Sequence, residues 1–318
     1  MSSDLNLLNY LEENSNDKSP KSTYFRRSII ILLKEFLEIY KLSCIDFIET
    51  IKKKSTAIYL SDQSLIVKES MLSLIAKIIE IYDDSLIEKV YQPKIYLEFL
   101  LNEIKLKKLA GSIKGEIWHI CGLLINKFSN LLNNYKLQIS TLVYSELFEM
   151  LSLNETNNNI KNSNNILVKK FEFKHLIGIL KSLNYLLDNS KFNDNQITTI
   201  YICLKGLIQP LEDANSNKVN KLALNILSNH GKMFYNQLQK DAIFLFDSIF
   251  VLCSSKNNVL KNAAHEAIEA IAKHISYCLN ENKNIHKDSF SYIIIKIKSV
   301  LEEKTNGVMI HIAISLSK

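Results

Sequence analysis

The sequence predicts an all-α chain assembled from about six helical hairpins, and three observations carry that reading. Apolar residues recur at the 3.6-residue spacing of amphipathic helices, with no convincing alternating strand. The 318 residues include only 7 glycines and 3 prolines against 47% hydrophobic residues, a composition poor in the turn formers that all-β folds use. Short polar groups able to cap free backbone N–H groups return at a nearly regular interval.

Residues 1–21 read as a flexible polar tail, because Asn, Ser and Asp dominate after Leu11 and no sustained periodicity appears. The first helix is expected at Ser22-Thr23 and further starts at Ser43 and Ser64, the last followed by a stripe of Leu65, Leu72, Ile75, Ile79 and Tyr82. Pro93 suits the first turn of another helix, where its missing N–H has no partner to lose. Ser112 opens a helix whose Ile113, Ile117, Ile120, Leu124, Phe128 and Leu131 advance by 4, 3, 4, 4 and 3 residues. After starts at Asn134, Asn193 and Asn217, the same offsets recur beyond Asn257-Asn258 in Leu260, Ala264, Ala267, Ile271, Ile275 and Cys278. A last start is expected at Asn284.

Paired, these helices give hairpins beginning near 23, 64, 112, 166, 217 and 258, with a truncated one near 306. The steps of about 41 to 54 residues bracket the HEAT and armadillo period. The longest contains an Asn-rich insertion at 154–165, without which it shortens to about 42. A stripe of this kind can be covered only by a neighbouring hairpin, so 22–318 reads as a single HEAT/armadillo-like α-solenoid. The final apolar run, Val308–Leu316, has no following partner, and the array reads as truncated there.

Little in the chain points to chemistry. Lys plus Arg number 39 against 33 Asp plus Glu, a formal net charge of +6, which permits a polyanionic partner without demanding one. Gly111, Gly115 and Gly122 are the densest glycines, but they lie along a helix and not in a phosphate-cradling loop. Protein-kinase signatures are missing, and Asp46-Phe47 is followed by Ile48 where a metal-binding loop would need glycine. His265 and Glu269 share a helix face beside Glu266, with His274 further on, yet the second histidine of a zinc helix is absent. His119, His230 and His311 are isolated beside apolar positions and read as packed or surface residues. Cys44, Cys121, Cys203, Cys253 and Cys278 form no C-x-x-C pair and read as small apolar core residues in a reducing compartment. No catalytic residue, metal or cofactor is expected, and neither a signal peptide nor a membrane-spanning run is evident.

Cations concentrate at one place. Lys105, Lys107 and Lys108 end one helix while Lys114 begins the next, four cations around a single turn. They read either as a solvated helix end favourably placed near C-terminal carbonyls or as a contact to a nucleic-acid backbone. Lys52, Lys53 and Lys54 spread around a helix and make only a diffuse charge, and Lys169, Lys170 and Lys174, or Lys296 and Lys298, are weaker groupings. Trp118, the only tryptophan, reads as a packing residue before a base-stacking one.

Several stretches resemble, in order, the amino-terminal helical-repeat region of the DNA-dependent protein kinase catalytic subunits, within the phosphatidylinositol-3-kinase-related kinase family. They are EIKLKKLAGSIKGEIWHICGLL (103–124), LIGILKSLNYLL (176–187), IYICLKGLIQPLEDANSNKVNKLALNILSNHGKMF (200–234) and VLKNAAHEAIEAIAKHIS (259–276), with a weaker match over 30–82. The resemblance implies a HEAT-repeat arm of a nuclear repair kinase, whose partners would be double-stranded DNA ends, the Ku heterodimer and other parts of the same large kinase, and no membrane. It implies a scaffolding role in non-homologous end joining and no catalytic residue in this chain. Read from the residues alone, a HEAT/armadillo protein-interaction adaptor stays open beside the DNA-binding reading.

Overall fold

The structure, a computed structural model, describes residues 2–106, 109–152, 173–208 and 214–281, with a few positions between 291 and 298. Those residues form thirteen α-helices and two short 3-10 helices, without a strand among them. The expected insertion at 154–165, the start at Asn284 and the run Val308–Leu316 lie outside the described residues. Contacts divide the chain into two compact units, one of residues 1–143 with 174–190 and the other of 144–173 with 191–318.

In the first unit the even-numbered rhythm of hairpins becomes two rows of helices. One row holds α2 (Pro20–Ile39), α4 (Leu65–Ile81), α7 (Gly111–Lys127) and α9 (Phe173–Asn189). The other holds α1 (Ser2–Glu13), α3 (Ile48–Ser61), the pair α5 (Asp84–Tyr91) and α6 (Pro93–Ile104), and the beginning of α8 (Asn133–Ser152). Within the first row α2 packs on α4 and α4 on α7, while α3 packs on α1 and α4 and α6 on α7. Cross-links of constant separation fix the register. Lys34 donates to Ser73 and Lys77 to Glu38, each pair 39 residues apart, so α2 and α4 run parallel. Gly122 meets Ser182 and Asn189 donates to Asn126, which sets α9 parallel to α7.

Local chemistry explains most boundaries. Ser19 caps α2 by accepting from the Ser22 N–H, and Pro20 follows in the first turn, so the helix begins a few residues before the expected Ser22-Thr23. Ser64 is the cap of α4, Asp83 caps α5 through the Leu86 N–H, and Pro93 opens α6. Gln92, in a left-handed conformation at φ 49°, makes the corner between α5 and α6.

The core confirms the stripes and trims them. Leu72, Ile75, Ile79 and Tyr82 are buried on α4, as are Ile113, Ile117, Ile120, Leu124 and Phe128 on α7, where Trp118 is fully enclosed. Leu65 and Leu131 are about half exposed instead. Leu65 is the first residue of α4, and Leu131 lies beyond the last turn of α7, so neither reaches the face that its periodicity assigns.

Residues 1–21 behave differently from the expected tail. Helix α1 places Leu8 and Leu11, three apart, in full burial against α2 and α3. A second tie is buried and ionic: Arg26 of α2 donates from Nε to Asp62 Oδ2 at 2.9 Å and from Nη2 to Oδ1 at 3.3 Å, with both side chains fully enclosed. Its Nη1 donates to the Asp17 carbonyl at 2.9 Å and to Ser22 Oγ at 2.7 Å, and Asp62 also accepts from the Ser64 N–H. The guanidinium therefore pins the α1–α2 connection to the α3–α4 turn, which a reading of apolar periodicity alone does not see.

The second unit contains α10 (Asp194–Leu207), α11 (Ala214–His230), α12 (Tyr235–Leu252) and α13 (Asn258–Glu281). Asn193 and Gln196 form a reciprocal capping box at the start of α10, and Asn257 caps α13 by accepting from the Val259 and Leu260 N–H groups. Helix α11 packs on α13, and α12 on α13, again in two rows. Leu260, Ala264, Ala267 and Ile271 are buried as their spacing requires, while the side chains of Ile275 and Cys278 lie outside the described set.

Candidate nucleic-acid interface

Lys105 is the C-terminal cap of α6, its N–H bonded to the carbonyls of Asn102 and Glu103. The chain turns through Leu106 and Leu109 and re-enters a helix at Gly111, with Ala110 as an extended cap that offers no side-chain acceptor. Lys114 follows in the first turn of α7. Lys105 is exposed and Lys114 half-buried, so the two described members flank one inter-helix turn as expected. Lys107 and Lys108 lie outside the described residues. The Lys105 ammonium reaches only the side-chain carbonyl of Asn102, at 3.5 Å, and among the described residues no carboxylate pairs with Lys105 or Lys114.

Three other lysines of the α2–α4–α7–α9 row, Lys77, Lys127 and Lys174, are paired with carboxylates. Lys77 bridges Glu38 at 2.9 Å and Glu80 at 3.5 Å. Burial opposes its charge, but the bond to Glu38 and the field of Glu80 outweigh that and hold its pKa above the ordinary lysine value. Lys127 donates to the Tyr82 carbonyl and to Asp84, closing the ends of α4 and α7 together. Lys174, one of the weaker basic candidates, is held by Glu69 at 2.5 Å, while Lys169, Lys170 and Lys296 are not among the described residues and Lys298 is exposed. Of the lysine triple, Lys54 pairs with Glu12 of α1. Paired lysines of this kind release few counterions to a polyanion, whereas Lys105 and Lys114 keep their full charge for one.

The buried titratable groups are suited to packing. His119 of α7 sits 3.7 Å from Glu116, beside Lys181 of α9 and Glu80 of α4. Burial is the largest influence on His119 and lowers its pKa, so the ring is neutral at physiological pH. Burial would raise Glu116, but His119, Lys181 and Lys34 together lower it. His119, nearest at 3.7 Å, and the two lysines thus outweigh the burial and keep this carboxylate ionised. Cys44, Cys121, Cys203 and Cys253 are buried thiols in no disulfide, and burial raises Cys203 and Cys253 to about 12, far from a reactive thiolate. His230 is buried, His265 half-buried, and His311 lies outside the described residues. No group of three metal-ligating side chains gathers, and no helix is long and apolar enough to cross a membrane, among the described residues.

Comparison with known proteins identifies the family. The family model described as DNA-PKcs, N-terminal, matches residues 1–315. The chain belongs to the DNA-PKcs amino-terminal family. It is similar to the DNA-dependent protein kinase catalytic subunit of Dictyostelium discoideum, 22% identical over 317 residues, which cover 96% of this chain and 7% of that protein. The corresponding protein of Mus musculus is 23% identical over 281 residues, covering 87% of this chain and 6% of that protein. This member therefore spans about 7% of the length of such relatives, and what it matches is their amino-terminal, non-kinase region.

Backbone geometry gives the glycines a role that motif reading missed. A Cβ added at Gly178 would stand 1.9 Å from the Gly115 carbonyl oxygen, one at Gly115 would meet the Lys174 carbonyl at 2.3 Å, and one at Gly122 would meet Ser182 Cα at 2.7 Å. Helices α7 and α9 thus touch backbone to backbone along a seam of Gly115, Gly122, Gly178 and Ser182. The seam also brings the first turns of α7 and α9, with Lys114 and Lys174, to the same end of the row. The signal was present in the sequence as small residues at helical spacing, Gly115 and Gly122 seven apart and Gly178 and Ser182 four apart.

Proposed function

We propose that this chain is the scaffold arm of a DNA-dependent protein kinase, receiving double-stranded DNA ends together with the Ku heterodimer during non-homologous end joining in the nucleus. The observation that supports it most is the family match across residues 1–315, to which the uncompensated cations of the α6–α7 turn add a surface of the right sign. Lys105, Lys107, Lys108 and Lys114 are assigned to backbone phosphates, where contact is electrostatic and indifferent to base sequence. The arm itself transfers no phosphate, since it has neither phosphate-positioning nor metal-holding motifs.

Fluorescence anisotropy over a salt series tests the assignment. Each true phosphate contact adds roughly 0.9 to the magnitude of the slope of log affinity against log salt, so Lys105→Gln, Lys107→Gln and Lys108→Gln together flatten it by up to about three units. Affinity falls alike for unrelated duplexes, and the melting temperature hardly moves. An unchanged slope and affinity would remove these lysines from the interface and favour a protein-interaction adaptor. For the partner, linear duplex preloaded with Ku should retain the arm better than Ku or closed circular DNA alone.

A further inference from the structure

Every helix of the α2–α4–α7–α9 row packs apolar surface against its neighbours, but α2 is apolar on two faces and only one of them is covered. Ile29, Ile30, Leu33 and Leu37 are buried against the unit, while Phe25, Ile31, Leu32 and Ile39 on the far side are 54%, 44%, 65% and 70% exposed. Tyr24 adds to the same patch at 57%, and Tyr10 of α1 meets only one edge of Phe25, ring centroids 5.6 Å apart. Scattered single exposed apolar residues are ordinary; a contiguous helical stripe of them marks an interface.

The pattern of the stripe says what covers it. Phe25, Leu32 and Ile39 are spaced by seven residues, the repeat that keeps one helix in contact with another along its length. The spacing is symmetric about Leu32: a helix laid antiparallel, with Leu32 over its own copy, sets Phe25 against Ile39 at both ends. The charges follow the same symmetry. Exposed Arg27 and exposed Glu38 lie on one flank of the stripe at nearly equal distances from Leu32, and antiparallel pairing brings like flanks together. Arg27 of each copy then faces the half of the other that carries Glu35, Glu38 being bridged to Lys77. A parallel pair would place Glu35 on Glu35. We infer that α2 is a self-association surface, on which a second copy of this chain docks antiparallel about a two-fold axis through Leu32. An isologous contact of this kind closes at two copies and leaves no face to propagate. It uses neither the α6–α7 turn nor the α7–α9 seam, so it stands independently of the DNA-binding reading.

Sedimentation velocity on the 318-residue chain, from about 1 to 100 μM, should show a reversible dimer. Leu32→Glu places two carboxylates on the axis and should weaken association by about tenfold or more, with the circular dichroism spectrum and melting temperature unchanged because the side chain is already exposed. Leu32→Cys, under mild oxidation, should give a disulfide-linked dimer that the parent chain does not give, and Phe25→Cys should not, since antiparallel pairing sets position 25 against 39 whereas a parallel pair would set it against itself. A parent that stays monomeric throughout, which would assign the stripe to a different chain, overturns the inference. So does a dimer indifferent to Leu32→Glu, or one in which Leu32→Cys fails to cross-link.

Discussion

Replacing Gly178 by alanine probes the seam on which the α2–α4–α7–α9 row depends. The new Cβ would lie 1.9 Å from the Gly115 carbonyl oxygen and 2.3 and 2.4 Å from its carbonyl carbon and Cα, all backbone atoms that no rotamer change can move. Ordinary contact begins at 3.4 Å, so α9 must retreat from α7 by about 1.5 Å. A gap of about 0.5–1 Å already forfeits a quarter to a half of each dispersion contact, and the retreat also opens the Gly122–Ser182 and Gly115–Lys174 approaches. Overpacking against backbone belongs at the upper end of the usual range of about 1–3 kcal/mol, or above it. Alanine's better helix propensity offsets about 1 kcal/mol. The net expectation is a loss of about 2–3 kcal/mol, or roughly 5–10 °C in melting temperature for a unit of this size. Gly231 supplies the control, because a Cβ there meets nothing within 4 Å and its φ is not positive; Gly231→Ala should be neutral or stabilise by about 0.5 kcal/mol. Thermal melts followed by circular dichroism and calorimetry decide it. Gly178→Ala melting at or above the parental temperature would refute the backbone contact, since propensity alone would then be the only term acting.

Two further outcomes follow from buried charge. Arg26→Met strips Asp62 of its buried partner and should destabilise by about 3–5 kcal/mol in urea titrations, while adding Asp62→Leu should recover much of that loss; a single variant as stable as the parent would mean the guanidinium is not enclosed. His119 is held neutral in the fold by burial, so on unfolding it regains a pKa near 6.5 and takes up a proton as the pH falls. Its contribution is therefore complete above about pH 6.5 and lost progressively below, a loss to which Glu116 adds only under about pH 4.5. Melting temperature should drop from pH 7.5 to 5.5 more steeply in the parent than in His119→Gln, and parallel slopes would count against a buried neutral ring.

Sequence by itself determined the fold class, the stripes and the repeat. Periodicity is a local property of the chain, so Ile113 to Phe128 and Leu260 to Ile271 declare their buried faces without knowledge of what covers them, and Ser19, Asn193 and Asn257 cap helices with their own side chains. The lysines at 105 and 114 were legible for the same reason: neighbours in sequence around one turn stay neighbours in space. Only the tertiary structure decided which charges are free, because Glu69 neutralises Lys174 from 105 residues away and Glu38 neutralises Lys77 from 39. It also decided that Leu8 and Leu11 belong to the core, that Arg26 is buried, and that Gly115 and Gly178 are contact surfaces and not breaks in a helix. Each of these rests on the distance between two backbones far apart in the chain, which hydropathy and propensity do not encode.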